Sequence, residues 1–221
     1  MKIINKTKNL VLNIVPESVH NIYRMSKTKY FGNNIIVKWE KNGKQLPPPH
    51  VFKQNLIKSY QKKTGIKILI ETGTYMGDMV YAMKNVFDKI YSIELSKELF
   101  GKCQKRFRKN KNVILLNGDS GEMISSILKE IKKPVIFWLD SHYSGGNTVK
   151  GNKDTPIADE LRSILENSFF NHIILIDDAR CFNGSNDYPT INELNEIVLK
   201  YTKDYELKVN EDVICLKINK D

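Results

Sequence analysis

The chain has 221 residues, 41% of them hydrophobic, which suits one domain with a real core and a modest appendage and excludes a disorder-dominated protein. A formal charge of +10 favours anionic partners, but the lysines lie in every segment and read as a solvated surface. No apolar stretch approaches membrane-spanning length and Met1–Lys8 lacks the core of a signal peptide, so a cytoplasmic protein without a membrane span is expected; Cys103, Cys181 and Cys215, with no CxxC spacing, argue against a disulfide framework and a zinc site.

Residues 1–50 read as an N-terminal appendage, a lid or an oligomer contact. Within it Asn33–Glu40 reads as a strand, Lys41–Lys44 as a turn, and the prolines at 47–49 stop any regular element. The remainder, 51–221, alternates helices and strands. Val51–Lys63 has apolar residues at helical spacing, with Gly65 as a stop. Ile66–Ile70 is a short β-branched strand that runs into Glu71 and a turn, Gly73-Thr74-Tyr75-Met76-Gly77. A helix over Met79–Val86, a strand over Lys89–Glu94 and a basic helix over Lys97–Lys109 follow. Then come the strand Val113–Leu116, the helix Glu122–Lys132 and the strand Pro134–Leu139. A polar loop, Ser141–Thr155, precedes the helix Pro156–Glu166 and the strand His172–Ile176. Pro189-Thr190 opens a helix reaching Tyr201, and Tyr205–Val209 with Val213–Ile218 forms a closing hairpin. This order predicts an α/β fold: a Rossmann-like doubly wound sheet, mostly parallel, with a terminal antiparallel hairpin.

Ligands of open α/β sheets bind at the carboxyl ends of the strands. There the chain carries Glu71, Glu94, Asp119, Asp140 and Asp177-Asp178, more acids in register than helix capping explains. The first turn lacks the middle glycine of GxGxxG, which disfavours a pyrophosphate. Glu94 stands where an acid accepts hydrogen bonds from ribose hydroxyls, so the expected ligand is nucleoside-like without bridging phosphates.

On these residues the sequence resembles the class I S-adenosylmethionine-dependent methyltransferases. Glu71-Thr72-Gly73-Thr74-Tyr75-Met76-Gly77 is similar to their first motif, Ile93-Glu94 to the ribose-binding acid, and Gly118-Asp119-Ser120 to the adenine-facing corner. The resemblance covers Ile66 to Ile218 and implies S-adenosylmethionine bound by Glu71, Gly73, Thr74, Gly77, Glu94, Asp119, Ser120 and Asp140. Amides of the glycine turn are expected to hold the cofactor's carboxylate, and Glu71 its ammonium.

Leu139-Asp140-Ser141-His142-Tyr143 departs from the Pro-Pro-aromatic loop of the DNA amino-methylating enzymes. Asp140 with Asp177-Asp178 instead resembles the metal-binding carboxylates of the catechol-type and macrocin-type O-methyltransferases, which implies Mg²⁺ on Asp140, Asp177 and Asp178; a metal-free set of acids is the alternative. The catalytic lysine of the catechol enzymes has no counterpart in the loop after Asp140. His142, whose ordinary pKa lies near physiological pH, is the expected general base beside Asp140. Tyr143, Asp178 and Arg180 are the expected substrate-binding residues, with a salt bridge to Asp177 or Asp178 as the structural reading of Arg180.

Trp138–Ser144 and Asp177–Arg180 further resemble methyltransferase-like proteins of bacterial polysaccharide gene clusters. The function expected is O-methylation of a small polar acceptor, with an anionic acceptor included, such as a sugar or sugar-phosphate precursor of a surface polysaccharide. An RNA methyltransferase and a non-catalytic S-adenosylmethionine-binding module are the alternatives. Nucleic acid is not the expected partner, since the basic stretch Lys102–Lys111 reads as a solvated helix face with Phe107 in the core. A homo-oligomer is left open.

Overall fold

The computed structural model describes residues 31–141, 155–167 and 170–218, and the chain divides into two compact units, 1–45 with 49–52 and 46–48 with 53–221. In the described part of the first unit, residues 31–41 are helical. This corrects the strand expected at Asn33–Glu40. Gly32 and Trp39 are buried and Ile36 half-buried, so the inward face repeats every three to four residues, and that period prevails over the β-branched run Ile35-Ile36-Val37. The Trp39 indole N–H donates to the Gln45 carbonyl at 2.7 Å and its ring lies 5.1 Å from that of Phe52. The expected turn ends this helix, with Gly43 at φ 79° and Lys44 at φ 53°.

The second unit is a seven-stranded sheet. Its strands are β1 (Ile68–Thr72), β2 (Lys89–Glu94), β3 (Val113–Asn117), β4 (Ile136–Leu139), β5 (Ile173–Ile176), β6 (Tyr205–Asn210) and β7 (Val213–Ile218). Their spatial order is β3-β2-β1-β4-β5-β7-β6; β7 pairs antiparallel with both β5 and β6, and the other pairs are parallel. The helices are α1 (His50–Thr64), α2 (Asp78–Met83), α3 (Lys97–Phe107), α4 (Ser120–Glu130), α5 (Ile157–Leu165) and α6 (Ile191–Tyr201).

Alternation along the strands divides the core. Leu69, Ile90, Ile136, Trp138 and Leu175 face one way and pack with Ile57 of α1, Val80 and Met83 of α2, and Cys103 and Phe107 of α3. Ile70, Ile93, Phe137, Leu139 and Ile174 face the other way, against α4, α5 and α6. A parallel strand covered on both faces must be apolar at consecutive positions, which is why these strands read as continuous apolar runs. Each fully buried Ile or Leu contributes on the order of 1.5–3 kcal/mol.

In the parallel part of the sheet Thr72 is level with Leu139 of β4 and Ile93 of β2, and Leu139 with Ile176 of β5. The carboxyl ends therefore finish together. The chain order reverses between β1 and β4, and that switch point opens a crevice in sheets of this kind. β1 itself runs two residues past its expected end because Glu71 and Thr72 stay in register with Trp138 and Leu139.

Candidate functional site

The turn after β1 is closed by its own backbone. Gly73 N–H and Thr74 N–H both donate to the Ile93 carbonyl, at 3.0 and 3.2 Å, Gly77 N–H donates to the Thr74 carbonyl, and Tyr75 N–H donates to Glu94 Oε2 at 2.8 Å. The N–H groups of these four residues are thus engaged within the turn and with Ile93 and Glu94. Gly73 has φ 77°, and a Cβ there would stand 2.4 Å from the Asp140 carbonyl oxygen. The glycine lets the β1 turn press against the end of β4. At Gly77, φ 76°, a Cβ would meet the Phe107 ring at 2.6 Å, so this glycine admits α3.

Three expected cofactor acids stand at the carboxyl ends of β1, β2 and β3. Glu71 is buried, and its carboxylate accepts from the Ser92 hydroxyl at 2.5 Å, which in turn lies 2.6 Å from Thr74 Oγ1. Burial pushes its carboxyl up to about 8, with the Asp140 and Glu94 charges adding and the Ser92 hydrogen bond opposing. A buried acid at this level is held back from ionising for want of a positive neighbour, and a cationic ligand group would supply one. Glu94 accepts from Tyr75 N–H with Oε2 and from Ser96 N–H with Oε1, and keeps further lone pairs for ligand hydroxyls. Burial raises its pKa and the two amides oppose the rise. Asp119 caps α4 by accepting from Gly121 N–H at 2.8 Å, and Ser120 follows it, buried.

Ser120 leads to Glu160, which sequence reasoning missed. Glu160 is buried on α5 and accepts from the hydroxyls of Ser120 and Ser141, joining the ends of β3 and β4. Burial pushes it up to about 7 against those hydrogen bonds.

Across the switch point lies the second cluster. Asp140 follows β4 directly, with its N–H on the Thr72 carbonyl and hydroxyl. Asp177 follows β5; its Oδ1 accepts from Asp178 N–H at 2.8 Å and its Oδ2 stands 2.5 Å from Lys53 Nζ. Asp178 sits at φ 58°, and its Oδ1 lies 3.6 Å from Lys53 Nζ and 2.7 Å from Arg180 Nη1. Arg180 also pairs with buried Asp212, to which its backbone N–H donates at 2.9 Å. Its salt-bridge reading thus holds for Asp178 and extends to Asp212. Burial pushes Asp177 up, reinforced by the Asp140 and Asp178 charges and opposed by Lys53. Burial lowers the Lys53 pKa, but the Asp177, Asp140 and Asp178 carboxylates together outweigh this and the net shift is upward.

The magnesium set expected on Asp140, Asp177 and Asp178 does not assemble. Among the described residues no group of three or more His, Cys, Asp or Glu side chains is arranged to hold a metal ion. Asp177 Oδ2 and Asp178 Oδ1 face the Lys53 ammonium and the Arg180 guanidinium instead, so this pair does not fit it. Lys53, reaching in from α1, was also missed. It stands one helical turn before fully buried Ile57, so a charged residue on a buried stripe was the available signal. Tyr188 borders the same corner: its ring meets Phe182 edge-on at 5.2 Å, and burial raises its hydroxyl pKa, with the Asp178 and Asp140 charges contributing. His142 and Tyr143 lie outside the described residues.

No protein-family model and no curated protein matches the sequence. Solved structures do resemble it. The O-methyltransferase TomG from Streptomyces achromogenes, involved in tomaymycin synthesis and in complex with S-adenosylmethionine, aligns at TM-score 0.58 and 12% identity, over 93% of this chain and 99% of that one. The Podospora anserina methyltransferase PaMTH1, bound to S-adenosylhomocysteine, gives 0.55 and 16% over 93% and 97%. A Clostridium thermocellum protein described as an rRNA-methylase gives 0.50 and 15% over 74% and 95%. These likenesses, with the sheet order and the closing hairpin, show that the chain has the class I S-adenosylmethionine-dependent methyltransferase fold.

Proposed function

We propose that the protein is an S-adenosylmethionine-dependent O-methyltransferase acting on a small polar acceptor, with a sugar or sugar-phosphate precursor of a surface polysaccharide as the acceptor class. The observation that carries this reading is the pairing of buried, cation-seeking Glu71 on β1 with the corner formed by Asp140 and Asp177 at the ends of β4 and β5 and Lys53 of α1. When bound, S-adenosylmethionine supplies an electrophilic methyl group. In this reading Glu71 receives the cofactor's ammonium, Glu94 the ribose hydroxyls, and Asp119 and Ser120 the adenine edge, while Gly73 and Gly77 hold the turn in place. Asp140, Asp178 and Tyr143 orient the acceptor hydroxyl, with Arg180 for an anionic group. Placing that hydroxyl in line is worth up to about 7–11 kcal/mol in favourable cases. His142, next but one to Asp140, takes its proton.

The test is S-adenosylhomocysteine release across a library of sugars, sugar phosphates and phenols, with wild type beside His142→Ala. Turnover on a hydroxylated acceptor that falls by roughly two to four orders of magnitude in the variant is expected for loss of a general base. Cofactor binding by calorimetry with no product from any acceptor would instead identify a non-catalytic binding module. The charge of +10 and the likeness to the rRNA-methylase favour a second reading, methylation of RNA. It requires tight, salt-sensitive RNA binding, and a gel shift absent at low salt rejects it.

A further inference from the structure

The charged groups at the carboxyl ends of β4 and β5 are arranged around an amine. Lys53 lies on the buried stripe of α1, and only 11% of its side chain is exposed. Its Nζ contacts Asp177 Oδ2 at 2.5 Å and lies 3.6 Å from Asp178 Oδ1. The other Asp177 oxygen is taken by Asp178 N–H, and Asp178 Oδ1 also receives Arg180. A divalent ion sharing Asp177 with Asp178 would need the position of the ammonium and would be repelled by it. Asp177 is only 4% exposed, and removing one member of such a pair leaves an uncompensated buried charge.

We propose that Lys53 is the resident cation of the Asp140, Asp177 and Asp178 corner, occupying the place that the resemblance to the catechol-type enzymes implies for magnesium. The corner works without a metal. An ammonium differs from a metal ion in what it offers an acceptor: it donates hydrogen bonds and carries one charge, so it orients a hydroxyl or anionic oxygen without the acidity that a bound divalent ion confers. That second statement rests on the proposed O-methyltransferase reading; the cation assignment does not, and it is tested without any acceptor.

The experiment is a calorimetric titration of Mn²⁺ into the full chain as wild type, Asp177→Asn, Lys53→Met and Lys53→Met/Asp177→Asn. Wild type and the double variant are expected to show no saturable binding, whereas Lys53→Met, with its acids uncovered, gains a site for one ion per chain. Saturable binding to wild type that Asp177→Asn abolishes overturns the proposal, and so does a folded Lys53→Met that binds no Mn²⁺. If Lys53→Met does not fold, the double variant decides. Recovery of a cooperative thermal transition when the orphaned carboxylate is also removed supports the assignment, and a double variant that stays unfolded overturns it. Failure to find an acceptor leaves these readouts untouched.

Discussion

Gly73 shows how one missing Cβ shapes both halves of the site. Its φ of 77° already disfavours any other residue, and the Asp140 carbonyl occupies the space where a side chain would begin. Gly73→Ala therefore carries a left-handed backbone penalty of roughly 1–2 kcal/mol and an overpacking cost of about 1–3 kcal/mol, with Asp140 displaced. We expect a lower thermal midpoint and at least a tenfold weaker S-adenosylhomocysteine affinity by calorimetry, a size set by about 1.4 kcal/mol per decade. An alanine variant that binds as wild type does would separate the glycine from the site. The acids at this scale were legible, because a parallel sheet places whatever follows each strand at one edge. Lys53 and Glu160 were not, since each comes from a helix whose apolar period was counted while the charged residue inside its buried stripe was passed over. Glu160 lies between Ile157 and Ile164, both buried, and its partners Ser120 and Ser141 are remote in sequence. His142 was legible as chemistry but has no placement among the described residues.

At the scale of elements, α3 acts as the brace of the glycine turn. Cys103 Sγ donates to the Tyr75 carbonyl at 3.2 Å, Arg106 holds the Met76 carbonyl and pairs with Asp78 at 2.8 Å, and the Phe107 ring fills the space beside Gly77. The basic stretch read as a solvated face thus has a buried, turn-holding side that composition could not reveal. Farther off, α6 starts with a capping box in which the Thr190 hydroxyl accepts from Glu193 N–H while the Glu193 carboxylate accepts from Thr190 N–H. Thr190→Ala should lower the unfolding free energy in urea by about 1 kcal/mol and leave S-adenosylhomocysteine affinity unchanged. A neutral result would mean that solvent replaces the bond that the Thr190 hydroxyl accepts. The order of strands and helices was readable because each strand is a short apolar run and each helix an amphipathic one. The segment 31–41 was misread for the opposite reason: three consecutive β-branched residues mimic a strand while the burial period, set by Trp39 and Gly32, is helical.

Over the whole molecule, the buried titratable groups set how stability follows pH. Burial holds the carboxyls of Glu71 and Glu160 protonated up to about 8 and about 7, against an ordinary value of 4.5, and pushes Asp177 the same way. Between those limits the native chain keeps protons that the unfolded chain has released, so this stabilisation is complete below the ordinary value and is lost as pH rises through 7 and 8. His172 acts oppositely. Buried and lowered to about 4 from 6.5, it costs stability as pH falls below 6.5, because the unfolded chain then takes up a proton that the native one refuses. The carboxyls outnumber the imidazole, so the ligand-free protein is expected to melt at a higher temperature at about pH 6 than at about pH 8.5. A bound ammonium beside Glu71 changes the balance by favouring the ionised form. Cofactor binding should then release a proton, tighten as pH rises toward 8, and lose that dependence in Glu71→Gln. Calorimetry in two buffers of different ionisation enthalpy reads the proton directly. If the apparent heat is the same in both and the melting temperature is flat across this range, Glu71 is already ionised in the free protein, and its carboxylate must have a positive partner there before the cofactor's ammonium arrives.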